Sequence, residues 1–155
     1  MDYRPVPMTL TIRRASPSDL PRVLELYGQP ALDDGAGLDL ETATHQLQIM
    51  QTYPNYALYV ALMDERIVGT FTLLIMNNVI HNGAPSGIAE AVAVDPDHQG
   101  QGIGRAMMQW AIAQCQAAGC YKLVISAHLN RDRAHAFYES LGFTKHGYSF
   151  VMEWP

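Results

Sequence analysis

The chain has 155 residues, of which 48% are hydrophobic and 16% charged, and its formal net charge is −5. This length and balance suit one globular domain, over residues 1–155, rather than a disordered chain. The acidic charge, with lysines and arginines scattered, argues against a nucleic-acid partner. No apolar run is long enough to span a membrane, and no h-region marks a secretory signal near the N-terminus. Cys115 and Cys120 form no disulfide or metal-ligand pattern, so we expect a cytoplasmic protein without a metal.

The first half of the chain is predicted to form a strand, two helices and a hairpin. Ser16 before Pro17 is a typical helix start, and Gly28 and Pro30 are expected to stop that helix. An acidic loop follows, and β-rich runs flank a short turn. The predicted elements are a strand at 10–14, a helix from 17 to 27, a loop at 31–40, a helix at 41–52, and strands at 56–63 and 67–76 joined by a hairpin turn at 64–66.

The second half of the chain alternates strands and helices. Asp95 and Pro96 close a strand, and Gly119 is expected at the end of the long helix that follows. The predicted elements are a loop at 77–87, strands at 88–94 and 122–126, helices from about 103 to 118 and from 131 to 141, and late strands at 143–145 and 150–154. The order βααβββαβαββ predicts a mixed α/β domain.

The stretch from Glu90 to Gly104 reads EAVAVDPDHQGQGIG, a strand that leads through a glycine-rich turn into a helix. Glycines let successive backbone N–H groups point into one concavity, and a helix N-terminus adds further donors, so the segment suits a diphosphate. A nucleotide P-loop would need Gly-Lys-Ser/Thr at its end, which Arg105 and Ala106 do not supply. A dinucleotide site would need its glycines directly after the strand. A purely structural glycine-rich turn without a ligand stays open.

The second informative segment, residues 130–143, reads NRDRAHAFYESLGF. On a helix, Tyr138 shares a face with other apolar residues, so it is either a core aromatic or a phenol at the mouth of a cleft that can donate a proton. Strand alternation puts Glu90, Val92 and Val94 on one sheet face and Ala91 and Ala93 on the other. Glu90 then faces either a ligand cleft or the opposite layer.

Together, in this order and spacing, the two segments resemble the GNAT superfamily of N-acetyltransferases. The family's signature, Arg/Gln-x-x-Gly-x-Gly/Ala, is matched by Gln99, Gly102 and Gly104. A later family pattern is matched by Ala134, Phe137, Tyr138, Gly142 and Phe143. The resemblance is specific over residues 88–143 and rests only on the order of elements over residues 10–76.

The resemblance implies a GNAT-type mixed, mostly antiparallel sheet of six or seven strands, splayed at strands 4 and 5 and flanked by about four helices. It also implies acetyl-CoA as the acetyl donor, with Tyr138 as general acid toward the leaving thiolate and Glu90 as general base. The pantetheine arm would pair with Val92, Ala93 and Val94. The diphosphate would be held by Gln99, Gly100, Gln101, Gly102, Ile103, Gly104 and Arg105.

One position departs from the family pattern. The family usually has Asn seven residues before the tyrosine, and here that place holds Arg131, with Asn130 one residue earlier. Both are therefore expected cofactor contacts. The resemblance further implies a small-molecule primary amine as acceptor and a homodimer. The alternatives are a protein N-acetyltransferase and a non-catalytic acetyl-CoA-binding sensor.

Overall fold

The computed structural model describes residues 9–33, 37–127 and 129–155. The chain divides between Val124 and Ile125 into two compact units. The strands are β1 (Leu10–Arg14), β2 (Tyr56–Met63), β3 (Arg66–Met76), β4 (Ser86–Val94) and β5 (Lys122–Ile125). The helices are α1 (Leu20–Tyr27), α2 (Pro30–Asp33), α3 (Leu40–Met50), α4 (Ile103–Ala117) and α5 (Asp132–Ser140).

The five strands form one sheet in the order β1-β2-β3-β4-β5. The first four are antiparallel neighbours, and β5 runs parallel to β4 because α4 carries the chain back between them. Asp64 and Glu65 connect β2 to β3 and both have positive φ, at 49° and 64°. The hairpin predicted from the sequence is confirmed, but its turn has two residues rather than the three predicted at 64–66, because Arg66 already pairs with Met63.

Helices cover both faces of the sheet. One face carries the core cluster under α1 and α3, made of Ala15, Leu20, Val23, Ala43, Leu47, Leu58 and Val60. On the other face α4 approaches so closely that a Cβ at Gly69 would lie 2.5 Å from the Met107 sulfur. Trp110 of α4 packs there against Tyr59 and Phe71, with ring centroids 4.8 and 6.0 Å away. The glycine is therefore needed for helix–sheet contact.

Two sequence predictions about the elements are wrong. Residues 31–40 were expected to be a loop, but α2 covers Pro30–Asp33, with the fixed φ of Pro30 suited to a first helical position. No strand forms in the described residues after α5, so their sheet has five strands rather than six or seven. The late segments carry β-forming side chains, but 76–93% of the surface of Phe150, Val151, Met152 and Trp154 is exposed. β-propensity without a packed face and a paired neighbour does not make a strand.

The smaller unit, from Ile125 onward, is built around α5. Gly142, with φ at 95°, follows the last turn of this helix, as predicted, and donates its N–H to the Glu139 carbonyl at 3.0 Å. Tyr138 is half-buried between Phe137 and Phe143. None of the described residues in this unit is fully buried, so its packing is shallow.

Candidate active site

A β-bulge interrupts β4 opposite Phe71. Thr72 pairs with Glu90 and Thr70 pairs with Ala93, so two residues of β4, Ala91 and Val92, oppose the one residue Phe71. Ala91 has φ at 51°, a left-handed conformation that residues with a Cβ seldom adopt. A bulge leaves an extra residue outside the regular ladder. Its backbone groups can therefore pair with a ligand instead of with β3.

The bulge also overturns the side-chain alternation predicted for this strand. Residues directly opposite in an antiparallel pair share a face, so Glu90 and Ala93 lie on the face of Thr72 and Thr70. Val94 pairs with Gly69 and lies on the α4 face. The prediction that Glu90 and Val94 share one face and Ala93 takes the other is wrong, because one inserted residue reverses the order of faces.

Glu90 therefore lies on the sheet face covered by α1 and α3, at the exposed end of that layer. The neighbouring β2 residues on this face, Leu58 and Val60, belong to the core cluster, whereas the Glu90 side chain is exposed. The Thr72 hydroxyl donates to the Glu90 carbonyl at 3.2 Å. A solvated carboxylate beside a bulge is placed to exchange protons with a group bound there.

The glycine loop, residues 99–104, follows β4 and a short 3-10 turn at Pro96–His98. Gly100 and Gly102 have φ at 77° and 84°, which favours glycine, and a Cβ at either would meet nothing within 4 Å. The first helical bond of α4 runs from the Ala106 N–H to the Gly102 carbonyl at 3.0 Å. The N–H groups of Ile103 and Gly104 precede it and are available to an anion.

Most of the predicted cofactor residues lie on β4 and this loop, whereas Asn130 and Arg131 belong to the smaller unit. Ile103 and Ala93 are buried, at 1% and 3% exposed, and Ile103 anchors the start of α4, where the loop ends, in the core. Exposed are Gln99, Gly100, Gln101, Gly102 and Arg105, and half-buried are Gly104, Val92 and Val94. Just ahead of the neighbouring strands β4 and β5, the Pro85 carbonyl accepts from the Tyr121 N–H at 3.0 Å.

Asp95, which sequence analysis treated only as the end of a strand, is the centre of a polar cluster. It is 7% exposed. Its carboxylate accepts from the Asp97 N–H at 3.0 Å and from Arg22 Nη2 at 2.6 Å, and it contacts His98 Nδ1 at 3.1 Å. The Asp97 N–H first, then His98 and Arg22, hold the pKa of Asp95 below its usual value. From the sequence, Asp95 before Pro96 predicts a cap for the following turn, but no spacing in the sequence predicts that Asp95 contacts Arg22.

Side chains on α1 and just after it also bind one backbone carbonyl at the end of β4 and one on β3. Gln29 Nε2 donates to the Val94 carbonyl at 3.1 Å and to the Leu26 carbonyl at 2.8 Å. Arg22 Nε donates to the Ile67 carbonyl on β3 at 3.1 Å. The strand end that leads into the glycine loop is thus fixed from the side of α1.

Tyr138 lies in the smaller unit, in an environment that keeps its phenol protonated. Burial raises the pKa of Tyr138 above its usual value, and the charge of Arg131 opposes that shift. Phe137 and Phe143 surround the ring, with centroids 5.3 and 5.9 Å away. Asn130 and Arg131 are both exposed just ahead of α5. The phenol can therefore act as a proton donor at neutral pH.

Within the described residues, no three His, Cys, Asp or Glu side chains form a group that could hold a metal ion. In the same part of the chain, no helix has the length and apolar character needed to cross a membrane.

Three known proteins show what the chain is similar to. It is 35% identical to glucosamine 6-phosphate N-acetyltransferase of Trypanosoma brucei brucei over 81 residues, which are 52% of this chain and about half, 53%, of that relative. It is 30% identical to aminoglycoside N(6′)-acetyltransferase type 1 of Stenotrophomonas maltophilia over 138 residues, 86% of this chain and 85% of the relative. The solved structure of a Trypanosoma brucei acetyltransferase superposes with a TM-score of 0.77 at 27% identity, covering 94% of this chain and 100% of that one.

A sequence model of the family described as "Acetyltransferase (GNAT) family" matches residues 21–143. The match includes the β4 bulge, the glycine loop and the helix that carries Tyr138. The fold, the two motifs and this match agree, and the chain belongs to the GNAT acetyltransferase family.

Proposed function

We propose that the protein is an acetyl-CoA-dependent N-acetyltransferase that moves an acetyl group from the thioester to a primary amine. The observation that carries the proposal is the bulge at Ala91 and Val92, followed after the 3-10 turn by the glycine loop at the start of α4. A strand with unpaired backbone groups suits an extended pantetheine arm, and a helix N-terminus suits a diphosphate.

The residues present fit such a donor. The open space beside Gly100 and Gly102 leaves room for phosphate oxygens close to the backbone, which a Cβ would take up. We assign Val92, Ala93 and Val94 to the pantetheine arm and residues 99–105 to the diphosphate. Acetyl-CoA supplies an activated thioester carbonyl, and a backbone N–H at the bulge would stabilise negative charge on its oxygen during attack.

Two proton transfers complete the chemistry. An alkylammonium has a pKa near 10 and must lose a proton before its nitrogen can attack. Glu90, exposed on the sheet face under α1 and α3, is proposed to accept that proton, directly or through water. Tyr138 is proposed to donate a proton to the departing thiolate, which its raised pKa supports. Either Asn130 or Arg131 is assigned to the cofactor.

For the acceptor we propose a small molecule with a primary amine. The relatives named for glucosamine 6-phosphate and for aminoglycosides act on amino sugars by name, which supports this class. The acidic segment 33–41, part of which lies outside the described residues, and the net charge of −5 favour a cationic partner. The homodimer and the cytoplasmic location expected from the sequence stay predictions.

The test is acetyl transfer from acetyl-CoA, followed by mass spectrometry, over amino sugars, aminoglycosides, polyamines, amino acids and peptides with free N-termini. Turnover of one of the small-molecule classes is the expected result. Turnover of peptides alone would replace the proposed acceptor with a protein N-terminus. Calorimetric binding of acetyl-CoA without transfer to any amine would support a sensor instead.

Glu90→Gln tests the proton acceptor. We expect kcat/KM for the amine to fall about 10- to 100-fold at pH 7, and the deficit to shrink toward pH 10 as the amine loses its proton without help. The pH profile of kcat/KM for wild type and variant measures this. A deficit that stays constant with pH would show that Glu90 acts by binding rather than as a base.

A further inference from the structure

The Asp95 carboxylate joins three parts of the larger unit at the point where β4 leaves the sheet. The Asp95 N–H donates to the Val68 carbonyl of β3 at 2.8 Å. Its side chain is held by Arg22 of α1 and caps the 3-10 turn through the Asp97 N–H. The glycine loop begins one residue after that turn, so Asp95 fixes the base from which the loop extends.

Arg22 makes this base rigid because α1 is itself anchored in the core. Val23 and Leu26, on the same helix, are 2% and 1% exposed. The Arg22 guanidinium holds Asp95, the Ile67 carbonyl and, at 2.9 Å, Glu25. Because a guanidinium has several donors in a fixed plane, these bonds set its direction and therefore that of the Asp95 carboxylate.

We propose that Asp95, held by Arg22, is a positioning residue for the donor's diphosphate: it sets the path of the glycine loop without touching the donor. The inference rests on the proposed function. The Val92–Val94 stretch assigned to the pantetheine arm would hold the reacting thioester at the bulge, on the other side of Val94 from the glycine loop. The effect of Asp95 is therefore specific to the part of the donor that the glycine loop holds.

The same unit contains a matched pair that does not lead to the loop. Asp19 is also 7% exposed and is bound by Arg13 with a shortest distance of 2.6 Å, the same values as for Asp95 and Arg22. Asp19 also accepts a backbone N–H at a 3-10 turn that begins with a proline, Pro17, but as the last residue of the turn: the Ser16 N–H donates to its carboxylate at 2.7 Å. Asp19→Asn therefore controls for the loss of a buried arginine–aspartate pair as such.

The experiment compares two acetyl donors, acetyl-CoA and S-acetylpantetheine, which lacks the diphosphate. For Asp95→Asn we expect kcat/KM with acetyl-CoA to fall about tenfold, mainly through KM, and calorimetry to show the Kd for CoA rising by a similar factor. The value with S-acetylpantetheine is expected to stay unchanged. For Asp19→Asn both donors are expected to keep their wild-type values. Thermal melts confirm that each variant is folded.

Equal losses with both donors, or equal losses in Asp95→Asn and Asp19→Asn, would overturn the inference. If Asp95→Asn does not fold, Arg22→Lys tests the same point, because it keeps the charge but loses the planar set of donors. The same split between the two donors is expected for it, and no split would overturn the inference. Failure of the proposed function is distinguishable in the wild-type protein, which would then either bind no CoA or bind acetyl-CoA without transfer to any amine.

Discussion

The two compact units of the chain differ in how deeply their side chains are packed. Residues 9–124 contain every fully buried side chain of the described chain, including Phe71 on β3 and Met107 and Met108 on α4. Residues 125–155, apart from the undescribed His128, contain none, although they carry Tyr138. The strand and loop assigned to the donor thus extend from a close-packed core, whereas Tyr138, assigned to proton donation, belongs to a shallow one.

The difference shows that binding and proton donation make different demands on the fold. A diphosphate needs several backbone N–H groups held in one arrangement, which Ile103 and the Asp95 cluster supply by anchoring both ends of the glycine loop. Proton donation needs one hydroxyl with a suitable pKa. Partial burial between Phe137 and Phe143 supplies that for Tyr138 without a deep core.

The largest expected effect is on Tyr138. Tyr138→Phe keeps the ring and its packing but removes the proton donor. We expect kcat to fall about 100-fold or more, with little change in KM for acetyl-CoA. The unfolding free energy is expected to change by less than about 0.5 kcal/mol, since the side chain is only half-buried. Steady-state kinetics and thermal melts measure both.

Tyr121→Phe is the control for that substitution, because Tyr121 is a half-exposed tyrosine that stacks on His81 at 3.9 Å, away from the proposed machinery. Its kinetics are expected to match wild type. If Tyr138→Phe also keeps its rate to within about twofold, the proton reaches the thiolate by another route.

The packing difference itself can be tested by hydrogen exchange. Amides of α4 are expected to exchange only through global unfolding, whereas amides of α5 should exchange through local opening at least about 100-fold faster. Mass spectrometry of peptides from residues 103–117 and 132–140 measures both rates in one sample. Equal protection of the two helices would show that the smaller unit opens only with the larger one, and the comparison would fail.

Most elements of the larger unit could be predicted from the sequence, but the features that depend on contacts between distant residues could not. β1 to β3, the hairpin between β2 and β3, and α4 follow from local pattern and turn chemistry, and the structure confirms them. The reversed faces after Glu90 were missed, because a bulge depends on the register with β3 and Ala91 carries no glycine signal. Arg22 was missed as the partner of Asp95, because the two residues are 73 positions apart.

Substitutions of the two glycines that flank α4 can distinguish an effect on CoA binding by the glycine loop from an effect on the stability of the helix. Gly102 precedes α4 with φ at 84° and Gly119 follows it with φ at 76°, both with open space beside them. Alanine at either costs about 1 kcal/mol of stability through its left-handed backbone. We expect only Gly102→Ala to raise the Kd for CoA as well, about five- to tenfold by calorimetry. Equal Kd values for the two variants would remove the glycine loop from the proposed site.

The smallest effect on function is expected at Asp19, which stabilises the core without serving the site. Hydrogen bonding to Arg13 lowers the pKa of Asp19 from 3.8 to about 2. A lowered folded pKa gives stability that is present above about pH 4 and lost as the pH falls toward 2. Because Arg13 is 43% exposed, screening reduces the contribution to about 1–2 kcal/mol. Asp19→Asn should remove this stabilisation at pH 7 and flatten this part of the acid unfolding curve, measured by urea melts from pH 2 to 7.

Acetyl transfer by Asp19→Asn at pH 7 should not change, because the Arg13–Asp19 pair holds the start of α1 and not the end of β4. A loss of transfer would mean that the whole of α1, rather than Arg22, positions the glycine loop.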